Sequence, residues 1–135
     1  MLKILVGLFM VLHGLVHLLY FGQSWRLFEL QAGMTWPDGS WAFSRLLGDE
    51  GIRWLASISL VLAALGFVVG GIGIFASQAW WSPVVVGSAA FSGVIYILFW
   101  DGGLQNLDDK GGIGLLINVA ILVAVLIFQW PNFDF

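Results

Sequence analysis

The residues with the most chemical promise are two histidines, His13 and His17. They stand four apart, so on a helix they share one face. The stretch that holds them, from Leu2 to Gly22, contains only one other ionisable side chain, Lys3. Imidazole can ligate a metal or a haem, carry a proton, or simply hydrogen-bond. An i, i+4 pair can put two nitrogens on one ion, as in His-Glu-x-x-His sites. Here the intervening residues are Gly14, Leu15 and Val16, so no carboxylate base stands between the histidines. Zinc usually takes three or four protein ligands. Asp101 is the only carboxylate near in depth to supply one.

Haem needs axial ligands from opposite sides of its ring, which one helix face cannot provide. His13 or His17 could therefore hold a haem through one axial bond, or across a dimer interface. Gly14 leaves room beside the pair for a flat ring. A quinone hydrogen-bonded to the pair is a further redox reading. Proton relays in membranes use Asp, Glu and His chains. No acidic residue lies inside any apolar stretch of this chain, which argues against a proton-coupled pump.

The elements that position these residues follow from composition. The 135 residues are 60% hydrophobic and 10% charged, with mean hydropathy +0.97. A soluble domain carries about 25% charged residues, so a soluble globule is excluded. Disorder needs low hydrophobicity and high charge. The net charge is −3 with no basic run, so no nucleic-acid footprint is present. Cysteine is absent, which removes disulfides, thiolate metal sites, iron–sulfur clusters and Cys-x-x-Cys redox chemistry.

A bilayer core about 30 Å thick needs roughly 20 apolar residues as helix. Four stretches qualify: residues 2–22, 52–76, 81–100 and 112–130. Val and Ile are frequent in the last two, but neither alternates polar and apolar residues as a barrel strand does. The expectation is an all-α integral membrane four-helix bundle in one domain. Trp25, Trp54, Trp80, Trp81, Trp100 and Trp130 lie at or near the span ends, where aromatic belts form. The first stretch opens like a signal peptide. It is longer than a signal's apolar core, and its exit, Tyr20-Phe21-Gly22-Gln23-Ser24, has no Ala-x-Ala site, so it reads as retained.

Four spans make a multi-pass protein of the cell membrane with both termini on one side. Loop one (23–51) and loop three (101–111) share the other side. Arg26, Arg45, Arg53 and Lys110 lie there, against Lys3 at the terminus side, a small positive-inside lead for cytoplasmic loops. Loop one interleaves aromatics with polar residues. Pro37-Asp38-Gly39 predicts a turn with Gly39 free to take positive φ, and Ser40 predicts the N-cap of a short helix ending at Gly48. Such a partly helical, interfacial segment would cover one end of the bundle.

Helices associate in lipid through close packing and hydrogen bonds. Gly66-x-x-x-Gly70 and Ala89-x-x-x-Gly93 offer small-residue faces. These pack either within the chain, the ordinary outcome, or in a homodimer. Polar groups concentrate in the half of the membrane facing loops one and three: His17, Tyr96 and Asn118, with Arg53 and Asp101 at the interface. They point either to a polar-lined cavity opening there or to separate interhelical hydrogen bonds.

His13-Gly14-Leu15-Val16-His17-Leu18, Phe99-Trp100-Asp101-Gly102 and Gly111-Gly112-Ile113-Gly114-Leu115-Leu116-Ile117-Asn118 look like signatures of a small prokaryotic membrane-protein family. In size and layout the chain resembles the DoxX-like group. Some members of that group are linked to quinone-dependent sulfur oxidation, but no residue here matches that activity.

The sequence thus reads as a small polytopic membrane protein, leaning away from an enzyme. It would be an accessory subunit, or a binder of an apolar ligand or lipid in a cavity within the bundle. His13, His17, Tyr96 and Asn118 would contact the ligand, with Asp101 and Arg53 orienting the mouth. The alternatives are a haem- or quinone-associated redox protein using His13 and His17, and a small dimeric transporter. Its partners would be the lipid bilayer and a second copy or a larger membrane complex.

Overall fold

The structure, a computed structural model, describes residues 1–135 and contains no strand. Helix α1 spans Leu2–Ser24, α2 Ser44–Phe75, α3 Trp81–Leu98 and α4 Gly112–Leu122. A π-helical stretch, Val123–Ile127, continues α4. The chain is therefore an all-helical bundle, as its unbroken apolar runs require. Helices α1, α2 and α3 are long and apolar enough to cross a membrane.

Helix α4 is shorter than the sequence suggests. With its π-helical end it reaches Ile127, roughly 24 Å at about 1.5 Å per residue. Gln129 takes a left-handed conformation (φ 49°), and Pro131 disfavours a helical Trp130. Helix α2 joins two helical segments across a kink at Gly48, which adopts φ 66°, ψ 174°. The short first segment starts at Ser44 and stops at Gly48, the end the sequence suggests, and the long second segment carries the apolar run.

Helices pack in chain order, α1 on α2, α2 on α3 and α3 on α4. Helix α4 does not close back onto α1 backbone to backbone. Lys3 Nζ meets Ser77 Oγ and lies 5.6 Å from the ring centre of Phe135. The two chain ends and the α2–α3 turn therefore share one end of the bundle. Loop one and the α3–α4 loop share the other.

Two apolar layers fill the interior. The loop-side layer includes Met34, Trp36, Leu60, Ile95, Tyr96 and Phe99. The terminus-side layer includes Val6, Met10, Phe67, Val85, Ala89 and Ile121. Many remaining large apolar residues, such as Leu8, Leu12, Ile58, Leu62, Leu65 and Val94, are exposed and face outward. Such a surface suits lipid and not water.

Glycine sets the helix spacing. A Cβ on Gly14 would sit 2.9 Å from the Ala64 carbonyl oxygen and 2.9 Å from Phe67 Cβ. One on Gly71 would sit 2.9 Å from the Gly7 carbonyl oxygen. These contacts bring α1 against the α2 backbone. Gly66 lies against Ser88, Gly70 against Val85, and Gly93 within 3.6 Å of Leu115 Cδ1, as judged from ideal Cβ positions. Ala89 is fully buried. The small-residue faces Gly66/Gly70 and Ala89/Gly93 are thus used inside the chain.

Loop one folds over the end of the bundle and donates to carbonyls at and just beyond the end of α3. Trp41 Nε1 donates to Ile97 O at 2.8 Å, the Trp41 N–H to Trp100 O at 2.8 Å, and Ser40 Oγ to Leu98 O. Ser40 Oγ also accepts the N–H groups of Ala42 and Phe43. It caps the turn just before α2. Gly39 does not take positive φ; the nearby turn closes earlier, from the Asp38 N–H to Thr35 O at 2.9 Å.

Gly14→Ala is expected to push α1 from α2 and lower stability by about 1–3 kcal/mol, as overpacking does. Gly87 has nothing within 4 Å of its ideal Cβ. Gly87→Ala should be neutral or stabilising by up to about 1 kcal/mol, from helix propensity. Equilibrium unfolding in mixed detergent micelles would compare the two, and equal effects would refute the glycine contact as the spacer.

Candidate functional site

The histidines do converge with polar groups from other helices. His13 Nε2 lies 2.9 Å from Asn118 Oδ1 on α4. Asn118 Nδ2 donates to Ser92 Oγ on α3 at 2.8 Å. Ser92 Oγ lies 2.7 Å from His17 Nε2. His17 Nδ1 lies 3.0 Å from the His13 carbonyl oxygen. The four side chains form a closed ring joining α1, α3 and α4, between the two apolar layers. His17 and Ser92 are fully buried, and Asn118 is nearly so.

The direction of each bond follows from one atom. The His13 carbonyl can only accept, so His17 Nδ1 carries a hydrogen. A charge at this depth is costly, so the ring is neutral and His17 Nε2 is the acceptor. Ser92 then donates to His17 and accepts from Asn118. Asn118 Oδ1 is left to accept from His13 Nε2–H. Every bond has one donor and one acceptor, and both histidines stay neutral. His13 Nδ1 is the ring nitrogen left with a lone pair and no partner in the protein.

Helix α2 supplies the wall. The Phe67 ring lies 4.7 Å from His13 and 5.5 Å from His17, centre to centre. Gly14 allows this approach. On the loop side Tyr96 lies 5.9 Å from His17, and Trp36 lies 5.5 Å from Tyr96 and 5.2 Å from Tyr20. Tyr96 fits against α4 because Gly111 and Gly114 have no side chains; a Cβ on Gly114 would lie 2.9 Å from the Tyr96 hydroxyl. The three sequence signatures thus have packing roles. One holds the ring and admits α2, one seats Tyr96 and supplies Asn118, and Phe99-Trp100-Asp101-Gly102 forms the exit from α3.

The loop-side charges make no hydrogen bond or ion pair with the ring and fall into two separate groups of ion contacts. Arg53 faces Asp38, with Nε 3.5 Å from Oδ1, an ion contact outside hydrogen-bonding geometry. Arg26 pairs with the same carboxylate. Asp101 pairs instead with Lys110 at 3.0 Å and accepts the Gly103 N–H at 2.8 Å. Partial burial pushes the Asp101 carboxyl up, but the Gly103 N–H and the Lys110 ammonium outweigh it and hold it below the usual carboxylate range. These half-exposed pairs are worth at most about 1 kcal/mol each. Asp101 and Arg53 are thus paired with different partners and not with each other.

None of the four main cavities is lined by the ring residues. The larger apolar opening lies on the flank between α1 and α4. This groove of about 530 Å³ is lined by Leu5, Phe9 and Met10 on one side and Ile117, Ile121 and Ala124 on the other, with Trp130 at its outer end. A smaller polar hollow of about 130 Å³ on the loop face includes Trp36, Asp38, Asp101, Asp109 and Lys110.

No cluster of three His, Cys, Asp or Glu side chains is placed to hold a metal ion. Both Nε2 atoms are engaged in the ring, so haem or metal ligation through them would first break it. Gln23 was not singled out from sequence, and Ser92 stood out only as one of several polar groups within the spans, not as a site residue. Ser92 is the hub between Asn118 and His17. Fully buried Gln23 ties loop one down through Met34 O at 2.7 Å and the Leu30 N–H at 2.9 Å. For Ser92 the available signal was its polarity in a span at the depth of Asn118. Comparison with models of known protein families, with curated proteins and with solved structures finds no match.

Asn118→Leu removes two bonds and strands the His13 N–H, and should destabilise by about 1–3 kcal/mol. Ser92→Ala should also destabilise. The double variant should cost less than the sum of the two, because the Asn118–Ser92 bond is shared. Unfolding free energies in micelles complete the cycle, and strict additivity would show that the ring does not act as a unit.

Proposed function

We propose that the protein is a non-enzymatic, multi-pass protein of the cell membrane that holds the apolar chain of a lipid or other long-chain ligand in the α1/α4 flank. Both chain ends would lie on one membrane side. The single observation that carries this reading is the groove. It is apolar throughout, it lies where the bundle fails to close, and a π-helical stretch contributes to its wall. Interruptions of that kind occur often at functional sites. From Leu2 to Met10 the groove runs roughly 12 Å along α1, close to the depth of one leaflet.

The polar ring is then the floor and clasp of the site, not a ligand cavity. Its closure favours ligand holding over haem ligation or quinone chemistry at the His Nε2 atoms. The small-residue faces that a dimeric transporter would use are occupied within the chain, so a homodimer or larger complex would assemble through other surfaces. The likeness of the three signatures to DoxX-like proteins is part of this proposal and assigns no activity.

The test uses a phosphatidylcholine carrying a mid-chain diazirine, in vesicles containing the full chain. Photolabelling is expected to concentrate on Phe9, Met10, Ile117 and Ile121, above the equally apolar outward residues Leu12, Leu65 and Val94. Ala124→Phe, which fills the groove, should reduce that labelling several-fold and leave the helical circular dichroism unchanged. Uniform labelling of all outward faces would mean ordinary annular lipid and would sink the reading.

A further inference from the structure

His13 Nδ1 stands apart from the other polar atoms of the ring. It has no partner in the protein, yet it is not one of the sealed unpartnered atoms, such as Ser57 Oγ and Trp36 Nε1. His13 keeps 6% of its surface open, whereas His17 keeps none. His13 also lies one helical turn beyond Phe9, whose ring is parallel to it (9°) at 6.0 Å. On α4 its partner Asn118 follows Ile117. Phe9 and Ile117 both line the groove. The groove's lining stops at Phe9 and Ile117, beside the ring, and His13 Nδ1 is the ring nitrogen without a protein partner at that end.

We infer that His13 Nδ1 is a head-group contact of this groove and accepts a hydrogen bond from a hydroxyl on a long-chain molecule whose apolar tail lies between α1 and α4. This rests on the groove reading above. The chemistry of the head is set by the bond order around the ring. Because His13 Nε2–H donates to Asn118 Oδ1, the neutral imidazole offers only a lone pair at Nδ1. An ether, ester or ketone also offers only lone pairs and would leave both groups unsatisfied. An ammonium donates, but its charge is costly at mid-membrane. A hydroxyl donates without charge. Alcohols and phenols share this chemistry.

The inference is tested on the full chain in nanodiscs, with histidine labelled by ¹⁵N. The probes are 1-decanol, 4-nonylphenol and decyl methyl ether, which cannot donate. Affinities are read from protection against the diazirine lipid. A hydroxyl probe should bind about two- to tenfold tighter than the ether, the worth of one hydrogen bond. It should also shift the unprotonated Nδ1 resonance of one histidine, and the ether should not. A shift with decanol alone would assign an aliphatic alcohol, with nonylphenol alone a phenol, and either supports the inference. His13→Leu removes the Nδ1 acceptor and should bind all three probes equally. The wild-type resonance decides the matter if that variant does not fold. Equal affinities and an unmoved Nδ1 resonance, with groove labelling intact, would overturn the inference and leave the groove reading in place. Loss of selective labelling would overturn both.

Discussion

The structure depends on one constraint: a polar group in hydrocarbon has no water to turn to, so each must find its partner within the protein. The ring of His13, Asn118, Ser92 and His17 meets this constraint in the middle of the bundle. Apolar contact alone distinguishes poorly between helix and lipid, since tails are as apolar as Leu. Directional bonds distinguish well. Asn118 can reach both His13 and Ser92 only when α4 lies across α1 and α3 at one depth and one rotation. The ring thus fixes register between helices whose apolar surfaces would tolerate sliding.

The same constraint explains the loop-side end. Helix α3 finishes at Leu98 with carbonyls that lack helical donors. Loop one brings Ser40 and Trp41 to them, while buried Gln23 holds the loop's own backbone in place. Trp36 then seals the layer above Tyr96. The apolar residues of loop one are part of a core, and its polar residues complete a helix end. The Arg26–Asp38–Arg53 cluster sits outside this core and contributes far less.

The fold was largely legible because hydrophobic run length is a direct physical requirement. The helix ends were less so. Gly48 ends the short segment that starts at Ser44, as its residue type suggests, but the left-handed Gln129 beyond α4 cannot be read from hydropathy. Of the site, the shared face of His13 and His17 and the depth of Asn118 were legible from helix geometry. Their azimuth was not, because rotation about each axis depends on which glycines meet which backbones. That also hid the part of Ser92 as hub, although packing of Gly66, Gly70, Ala89 and Gly93 within the chain was the ordinary expectation. Arg53 and Asp101 share a depth, yet Asp38 and Lys110 are nearer partners, so depth alone could not pair them.

Closure of the ring also bears on what kind of activity the bundle can host. A relay needs groups that can donate in either direction. Here the acceptor-only carbonyl of His13 orders the bonds one way, and reversing them would require an added proton and a turned Asn118 amide. A metal centre needs convergent lone pairs, and the ring consumes those of His17 and leaves one on His13. What survives is a single outward acceptor beside an apolar flank that α4 does not close. A hydrogen-bonded ring with one open acceptor at its edge is suited to holding a molecule in one orientation, the tail placed by the groove and the head by one bond.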